Sequence, residues 1–472
     1  MREWRHLLCV TIACLALLLF DARAVMAQGL RVLRDAETEA FLHRAADPLF
    51  AAGGLQPHNV KIILLDDPSL NAFYAGGQMI FVHSGMILQT DNVDQIIGVV
   101  AHETGHMLGG HVQRMNEAVA PATTMTILSL LLGAAAIAAG APDAGAGLIL
   151  GGQSMAQRSI LSFRRVQEAS ADQAAAELLL KTHQSGRGLL QVFEKFRFQE
   201  LVGYGNRIDP YVLTHPLSSE RISNLESKLK ASPYWNAPTD PGLEEEYLRV
   251  KAKLQGYVWP PKATLGAYPP ENTSIPARYA RVYAYNKMLE WDKALAEAEA
   301  LIAAEPDNPY FHEIRGQILF ENGHVKESLA DLSRAAALAP NEPLILALYG
   351  RALVALETPE TDRKAVEVLT RSVRLDREDP FAWFQLAEVY TRLGDEDMAA
   401  LAGAERFLLI RQPARAAHLA AKAMKGLRKG TPAWLRAQDI AMVAAADLKD
   451  HKGRRRQRRN NRLELLIGPA AP

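Results

Sequence analysis

His102-Glu103-Thr104-Gly105-His106 is the densest run of chemically capable side chains in the sequence. Histidines four residues apart project from one helix face, one turn apart. That spacing suits two imidazole nitrogens on one zinc ion, at about 2.0–2.1 Å from it. Glu103 can reach a water on the open side of such an ion and act as general base for attack on a peptide carbonyl. Thr104 and Gly105 are small, which would let the helix lie close beneath a substrate. The alternative for five residues alone is a helix with two surface histidines.

A hydrolytic zinc site needs a third protein ligand and an open fourth position. His111 tempts, but the pattern that takes a third histidine wants it at position 112, which is Val112. One residue on a helix is a rotation of about 100°, so His111 reads as a surface or supporting residue. Glu168-Ala169-Ser170-Ala171-Asp172 is a better source. Its carboxylates share one helix face, Glu168 to bind the metal and Asp172 to accept the other N–H of a ligand histidine. An ordinary acidic helix start fits these residues equally well.

The elements that must position these groups are legible. Asp35 to Phe50 has helical periodicity, and Val60 to Leu65 is a buried strand stopped by Asp66-Asp67-Pro68. Asn71 to Ala75 and Met79 to Val82 flank Gly76-Gly77, a two-residue hairpin signal. Asp91 to His111 predicts the zinc helix, with Asp91 as cap and Asp94 in its first turn. From residue 275 the chain repeats: Pro306 and Pro340 stand 34 apart, and Trp383, Leu386, Ala387, Tyr390 and Ala399 fall at tetratricopeptide offsets. The repeat starting at Pro343 carries about three extra residues, read as a longer turn around Glu357 to Asp362. Such helix pairs bury a face only by stacking.

His102-Glu103-x-x-His106 with Glu168-x-x-x-Asp172 resembles the M48 family of zinc metallopeptidases. So do Asn71-Ala72-Phe73 before Gly76-Gly77, and Thr214-His215-Pro216 before Glu220-Arg221-Ile222. The resemblance covers about residues 30 to 230, with its motifs in family order. It implies one zinc ion per chain on His102, His106 and Glu168, with Glu103 as base and Asp172 as support. It offers His215 either as a donor to the tetrahedral oxyanion or as a group at the metal's open position that holds the site latent. Arg221 becomes a partner for a carboxylate near the zinc or for a substrate carbonyl. Met79, Ile80, Phe81 and Val82 become the strand edge onto which an extended, unfolded substrate adds.

The expected fold class is α+β: a zincin-like metalloprotease domain, helical with a small sheet, followed by an all-α tetratricopeptide solenoid. The expected divisions are 1–27 signal peptide, 28–230 protease, 231–274 Pro-rich linker with one helix, 275–448 repeats and 449–472 basic tail. Within the protease, an apolar lid or insert spans about 119–152. Its apolar runs, Thr126 to Gly140 and Ala144 to Gly152, each fall short of the roughly 20 residues that span a membrane. A cover that touches membrane or partner surface is the preferred reading, and a buried core helix is the other.

Arg2 and Arg5, the apolar run Leu7 to Phe20 and the small residues through Ala27 have the layout of an export signal. Its removal would take both cysteines, Cys9 and Cys14, leaving none for a metal site, and would leave 50 basic against 51 acidic residues. Near-zero net charge argues against nucleic acid as partner. The basic cluster Arg454 to Arg462 reads as a solvated tail. For an exported member of the family with repeats behind it, the resemblance implies assembly and quality control of outer-membrane proteins. Substrates would be unfolded or misassembled outer-membrane proteins, and the barrel-assembly machinery would bind the repeats. Location would be the periplasm, with peripheral membrane contact. The rival class is a chaperone or scaffold that works through the repeats while its zinc site stays closed.

Overall fold

The computed structural model describes residues 31–139, 141–202, 215 and 218–467. The expected signal peptide, Thr214 and Pro216 lie outside the described residues. The chain divides into two units, Met1–Leu254 and Gln255–Pro472.

The first unit is α+β. Its order is β1 (Val32–Leu33), α1 (Ala36–Ala52), β2 (Lys61–Leu65), β3 (Ala72–Tyr74), β4 (Met79–His83), α2 (Ser84–Gln89), α3 (Val93–Gly109), α4 (His111–Ala138), α5 (Pro142–Lys181), α6 (Arg187–Val202), α7 (Ser219–Lys230) and α8 (Pro241–Val258). The sheet order is β1-β2-β4-β3. β2 and β4 run parallel, with Ile63 opposite Phe81, and β3 and β4 run antiparallel, with Phe73 also opposite Phe81. Met79 to Val82 is therefore an interior strand, flanked on both sides, and cannot be a substrate edge. The outer strand beside it is β3. The hairpin loop between them is four residues, 75–78, rather than two, with Gly76 and Gly77 at positive φ.

Asn92, not Asp91, caps α3: its side chain accepts from the Gln95 N–H. Asp91 instead pairs with Lys195 at 2.8 Å. The helix stops at Gly110, whose φ of 60° is the left-handed conformation that glycine adopts without a Cβ clash. His111 thus opens the next helix. Gly105 faces α5 rather than substrate, since a Cβ there would stand 2.6 Å from the Ala171 carbonyl oxygen. Phe41, Leu49, Ile80, Val99, Val100, Leu179 and Phe193 share one core with Tyr247, Val250 and Leu254 of α8. The expected linker helix is accordingly built into the protease core. Each large side chain in that core contributes about 1.5–3 kcal/mol.

α4 and α5 form an antiparallel hairpin. It is longer than the apolar runs suggest, because each run continues into amphipathic helix: 28 residues in α4 and 40 in α5. By length and composition α4 is long enough and apolar enough to cross a membrane. Gly133 and Gly145 let the two backbones meet, for a Cβ on either would stand about 2.5 Å from the other's carbonyl oxygen. Ile127, Leu128, Leu131, Leu148 and Leu150 are exposed along it.

The second unit is all helical: α9 (Pro261–Ala267), then five pairs. These are α10 (Ile275–Lys287) with α11 (Trp291–Ala304), α12 (Pro309–Glu321) with α13 (Val325–Leu338), α14 (Pro343–Val354) with α15 (Pro359–Leu375), α16 (Pro380–Arg392) with α17 (Glu396–Leu409), and α18 (Pro413–Gly426) with α19 (Pro432–Ile467). Proline opens six of these helices at a position whose N–H has no helical partner anyway. Tyr279, Ala294, Ala298 and Phe311 fill one inter-helix core, and Leu346, Ala365, Leu369 and Leu386 the next. The three extra residues of the third repeat mostly lengthen a helix rather than its turn. α15 has 17 residues where α13 and α17 have 14. The basic cluster expected as a solvated tail lies within α19, which runs to Ile467.

Candidate metal centre

α3 brings His102, Glu103 and His106 to one place, α5 brings Glu168 and Asp172, and the segment before α7 brings His215. His102, His106, Glu168 and His215 are all buried, and one donor atom from each lies within 4.8 Å of the others. The His102 and His106 Nε2 atoms are 3.1 Å apart. His215 Nδ1 is 3.4 Å from His102 Nε2 and 3.1 Å from Glu168 Oε1. Glu168 Oε1 is 3.4 Å from His106 Nε2, and its Oε2 is 3.5 Å from His102 Nε2.

These separations test the fit to a metal. Four donors at about 2.0–2.1 Å from one tetrahedral ion stand about 3.3 Å apart, and the observed set brackets that value. The donor set is nitrogen and carboxylate oxygen, as zinc takes. Glu103 Oε1 is buried with no hydrogen-bond partner, 3.7 Å from His215 Nε2. A buried carboxylate oxygen left unpaired is costly and marks the place where a reacting water would sit. The residues fit a zinc ion.

The surroundings hold the donors in place. His102 Nδ1 lies 3.0 Å from Asp172 Oδ1. Arg221, on α7, forks across the two carboxylates of α5: Nη1 is 2.8 Å from Glu168 Oε2, Nη2 donates to Asp172 Oδ1 at 2.8 Å, and Nε also reaches Asp172. Phe193 of α6 packs edge-on against His102, with centroids 6.0 Å apart, and lies flat beneath the Arg221 guanidinium at 4.9 Å. His111 Nδ1 sits 2.9 Å from His106 Nδ1, which makes His111 a support for a ligand histidine. On the sheet side, the Tyr74 N–H donates to Glu103 Oε2 at 2.8 Å.

Electrostatics follow. Burial opposes a charge on His102, but hydrogen bonds with Asp172 and Glu168 raise its pKa to about 9. Burial lowers His106, and burial reinforced by His106 lowers His111 to about 4. Glu168 is held well below the usual carboxylate range: burial opposes this, and His215, His102 and His106 overcome it. Asp172 is also lowered, chiefly by Arg221 against burial.

The site residues read from sequence converge, except for the strand Met79 to Val82. His215 stands among the metal donors rather than out toward a substrate oxyanion. Arg221 meets carboxylates near the metal. Phe193 and the Tyr74 amide were not anticipated. Phe193 is one of several apolar residues on α6 with nothing to single it out, and a main-chain donor leaves no signature.

Comparison with known proteins agrees with this arrangement. Residues 33–229 match the model described as Peptidase family M48. The chain is 24% identical over 385 residues to the beta-barrel assembly-enhancing protease of Escherichia coli (strain K12), covering 78% of this chain and 75% of that protein. It is 31% identical over 184 residues to metalloprotease LoiP of Escherichia coli (strain K12), covering 37% of this chain and 64% of that one. Among solved structures, YrrB, a TPR protein with an unusual peptide-binding site, aligns with 18% identity over 37% of this chain and 90% of its own. Its TM-score of 0.31 is too low to build on.

Proposed function

We propose that this chain is a zinc-dependent metalloendopeptidase of the periplasm that acts in outer-membrane protein assembly and quality control, degrading misfolded or stalled substrates. The observation that carries the reading is the buried convergence of His102, His106 and Glu168 beside the unpaired oxygen of Glu103. The name of the protease matched over 78% of the chain supports the process. The basic, apolar, small-residue layout of residues 1–27 supports export.

His102, His106 and Glu168 would hold the ion. When bound, zinc acidifies water at its open position and polarises a carbonyl. Glu103 takes the proton from the attacking water and passes it to the leaving amine. Tyr74 keeps Glu103 aimed. Asp172 fixes the ring of His102, and Arg221 keeps Asp172 charged in a buried place while also reaching Glu168. Phe73 faces Phe81 within the β3–β4 pair, so the main-chain groups of Ala72 and the carbonyl of Tyr74 point to the outer side of β3, the Tyr74 N–H being taken by Glu103. Substrate adds there as an extended strand, which needs little sequence specificity but requires unfolded polypeptide.

His215 favours a second state. A fourth protein donor closes a site that needs an open position, so the resting enzyme is latent until His215 gives up its place. The alternative function, a chaperone or scaffold working through the repeats, rests on that same closure. The repeats would recruit the barrel-assembly machinery and its unfolded clients, and the α4–α5 hairpin supplies peripheral membrane contact. Metal content measured together with cleavage of an unfolded outer-membrane protein, wild type against Glu103→Gln, tests the reading. Loss of cleavage with one zinc retained supports the peptidase. A cellular phenotype that survives the change supports the scaffold.

A further inference from the structure

Arg351 of α14 lies between two phenylalanines, with its guanidinium carbon 4.8 Å from the centroid of Phe320 and 5.3 Å from that of Phe381. Phe381 contacts Phe384 one turn on, at 6.2 Å between centroids. Arg406 lies 4.7 Å from Phe384 and 5.3 Å from Phe407, and Arg415 also lies 5.3 Å from Phe407. The result is a continuous series of rings and guanidiniums across five helices and four successive repeats, with the Phe381–Phe384 ring pair at its middle. Phe381 and Phe384 keep 45% and 38% of their surface exposed.

What separates these arginines from their neighbours is the lack of a counter-ion. Arg392 pairs with Asp362 and Glu388, Arg315 with Asp331 and Glu299, and Arg436 with Glu405. Among the described residues, Arg351, Arg406 and Arg415 have no carboxylate within ion-pair distance. Each stands instead over one or two phenylalanine rings, which leaves its N–H groups available to a ligand. A guanidinium held that way is preorganised for a bidentate carboxylate. The exposed rings of Phe381 and Phe384, between Arg351 and Arg406, provide an apolar seat.

We propose that this ladder is the docking surface for an extended polypeptide segment whose acidic side chains flank an aromatic or aliphatic one. Carboxylates take the rims of Arg351 and Arg406, and the apolar side chain takes Phe381 and Phe384. Charge complementarity selects this occupant over a polyanion. Glu321 directly follows Phe320, and Glu388 lies one turn beyond Phe384. A continuous phosphate backbone would run against both, whereas a peptide with spaced carboxylates need not. The inference concerns the repeats alone and stands whether or not the metal centre cleaves peptides.

The test uses the full chain carrying Glu103→Gln, so that the probe survives. The probe is a fluorescein-labelled dodecapeptide with aspartates on either side of a Phe-Leu pair, followed by fluorescence anisotropy. Binding should weaken by about tenfold or more when the aspartates become asparagine, and likewise in Arg351→Gln/Arg406→Gln, as expected for lost charge-assisted bonds. It should also weaken as salt rises. Arg351→Glu/Arg406→Glu should reject the aspartate probe and accept the same peptide with lysines, a gain that misfolding cannot produce. Equal binding of the asparagine probe, unchanged binding by the glutamine variant, or tighter binding of a thymidine dodecanucleotide overturns the proposal.

Discussion

The main-chain N–H of Tyr74 donates to Oε2 of Glu103 at 2.8 Å. Tyr74 is on the outer strand where an extended substrate would pair, and Glu103 is the base that would act on that substrate. One hydrogen bond therefore ties the docking edge to the chemistry. It is charge-assisted and buried, which makes it stronger than a neutral bond between main-chain groups.

Glu103→Gln keeps an oxygen that can accept from Tyr74 but cannot take a proton. Cleavage of an unfolded substrate should fall by about 10²–10⁴-fold, while bound zinc, measured by elemental analysis, stays at one per chain. Loss of the metal along with the activity would instead make Glu103 a structural carboxylate.

His215→Ala removes one donor of four and leaves three, the number a hydrolytic site keeps. Basal cleavage should rise and zinc should still bind. Activity that falls with no change in metal content would return His215 to a role at the substrate oxyanion.

Arg221→Leu leaves Glu168 and Asp172 buried without their shared cation. Breaking such an arrangement costs about 3–5 kcal/mol, and the melting temperature should drop accordingly. Arg221→Lys keeps charge but not the fork. It should recover part of the stability yet still weaken zinc, on the order of 10–100-fold by chelator competition.

Gly105→Val should drive α3 away from α5, since even a Cβ meets the Ala171 carbonyl oxygen at 2.6 Å. Overpacking of this kind costs about 1–3 kcal/mol. Because Glu168 rides on α5, zinc affinity should fall with stability. If affinity is unaffected, the contact does not set the position of Glu168.

Metal-stripped protein should show a stability maximum in pH. His102, raised to about 9, contributes stability that is full below its unfolded value near 6.5 and lost as pH climbs through 9. His111, lowered to about 4, works in the opposite sense: its contribution is present above 6.5 and lost as pH falls toward 4. Asp172 and Glu168, also lowered, lose theirs at still more acidic pH. Melting temperatures measured with chelator present should therefore decline on both sides of neutrality. A steady rise from pH 6.5 to 9 would contradict the assignment for His102.

Much of the centre was legible in the sequence because its ligands follow helix geometry. The four-residue spacings of His102 with His106 and of Glu168 with Asp172 each place two groups on one face. The order of strands was not legible. The apolar run Met79 to Val82 beside Gly76-Gly77 marks a strand, but the parallel pairing with β2 that makes it interior is a long-range contact with no local mark. Gly105 shows the same limit. A small residue announces close approach without saying what approaches. The length of α4 was missed because only its apolar run was counted, and the helix begins well before that run, at His111.

The α4–α5 hairpin leaves the centre beside His106 and returns to it at Glu168, so both ends of the detour are anchored and its far end is not part of the site. Adding a turn to each helix would carry the tip outward by about 5.4 Å and leave the ligand geometry as it was. The chain thus carries a mast whose height could change without moving the four donors at its base.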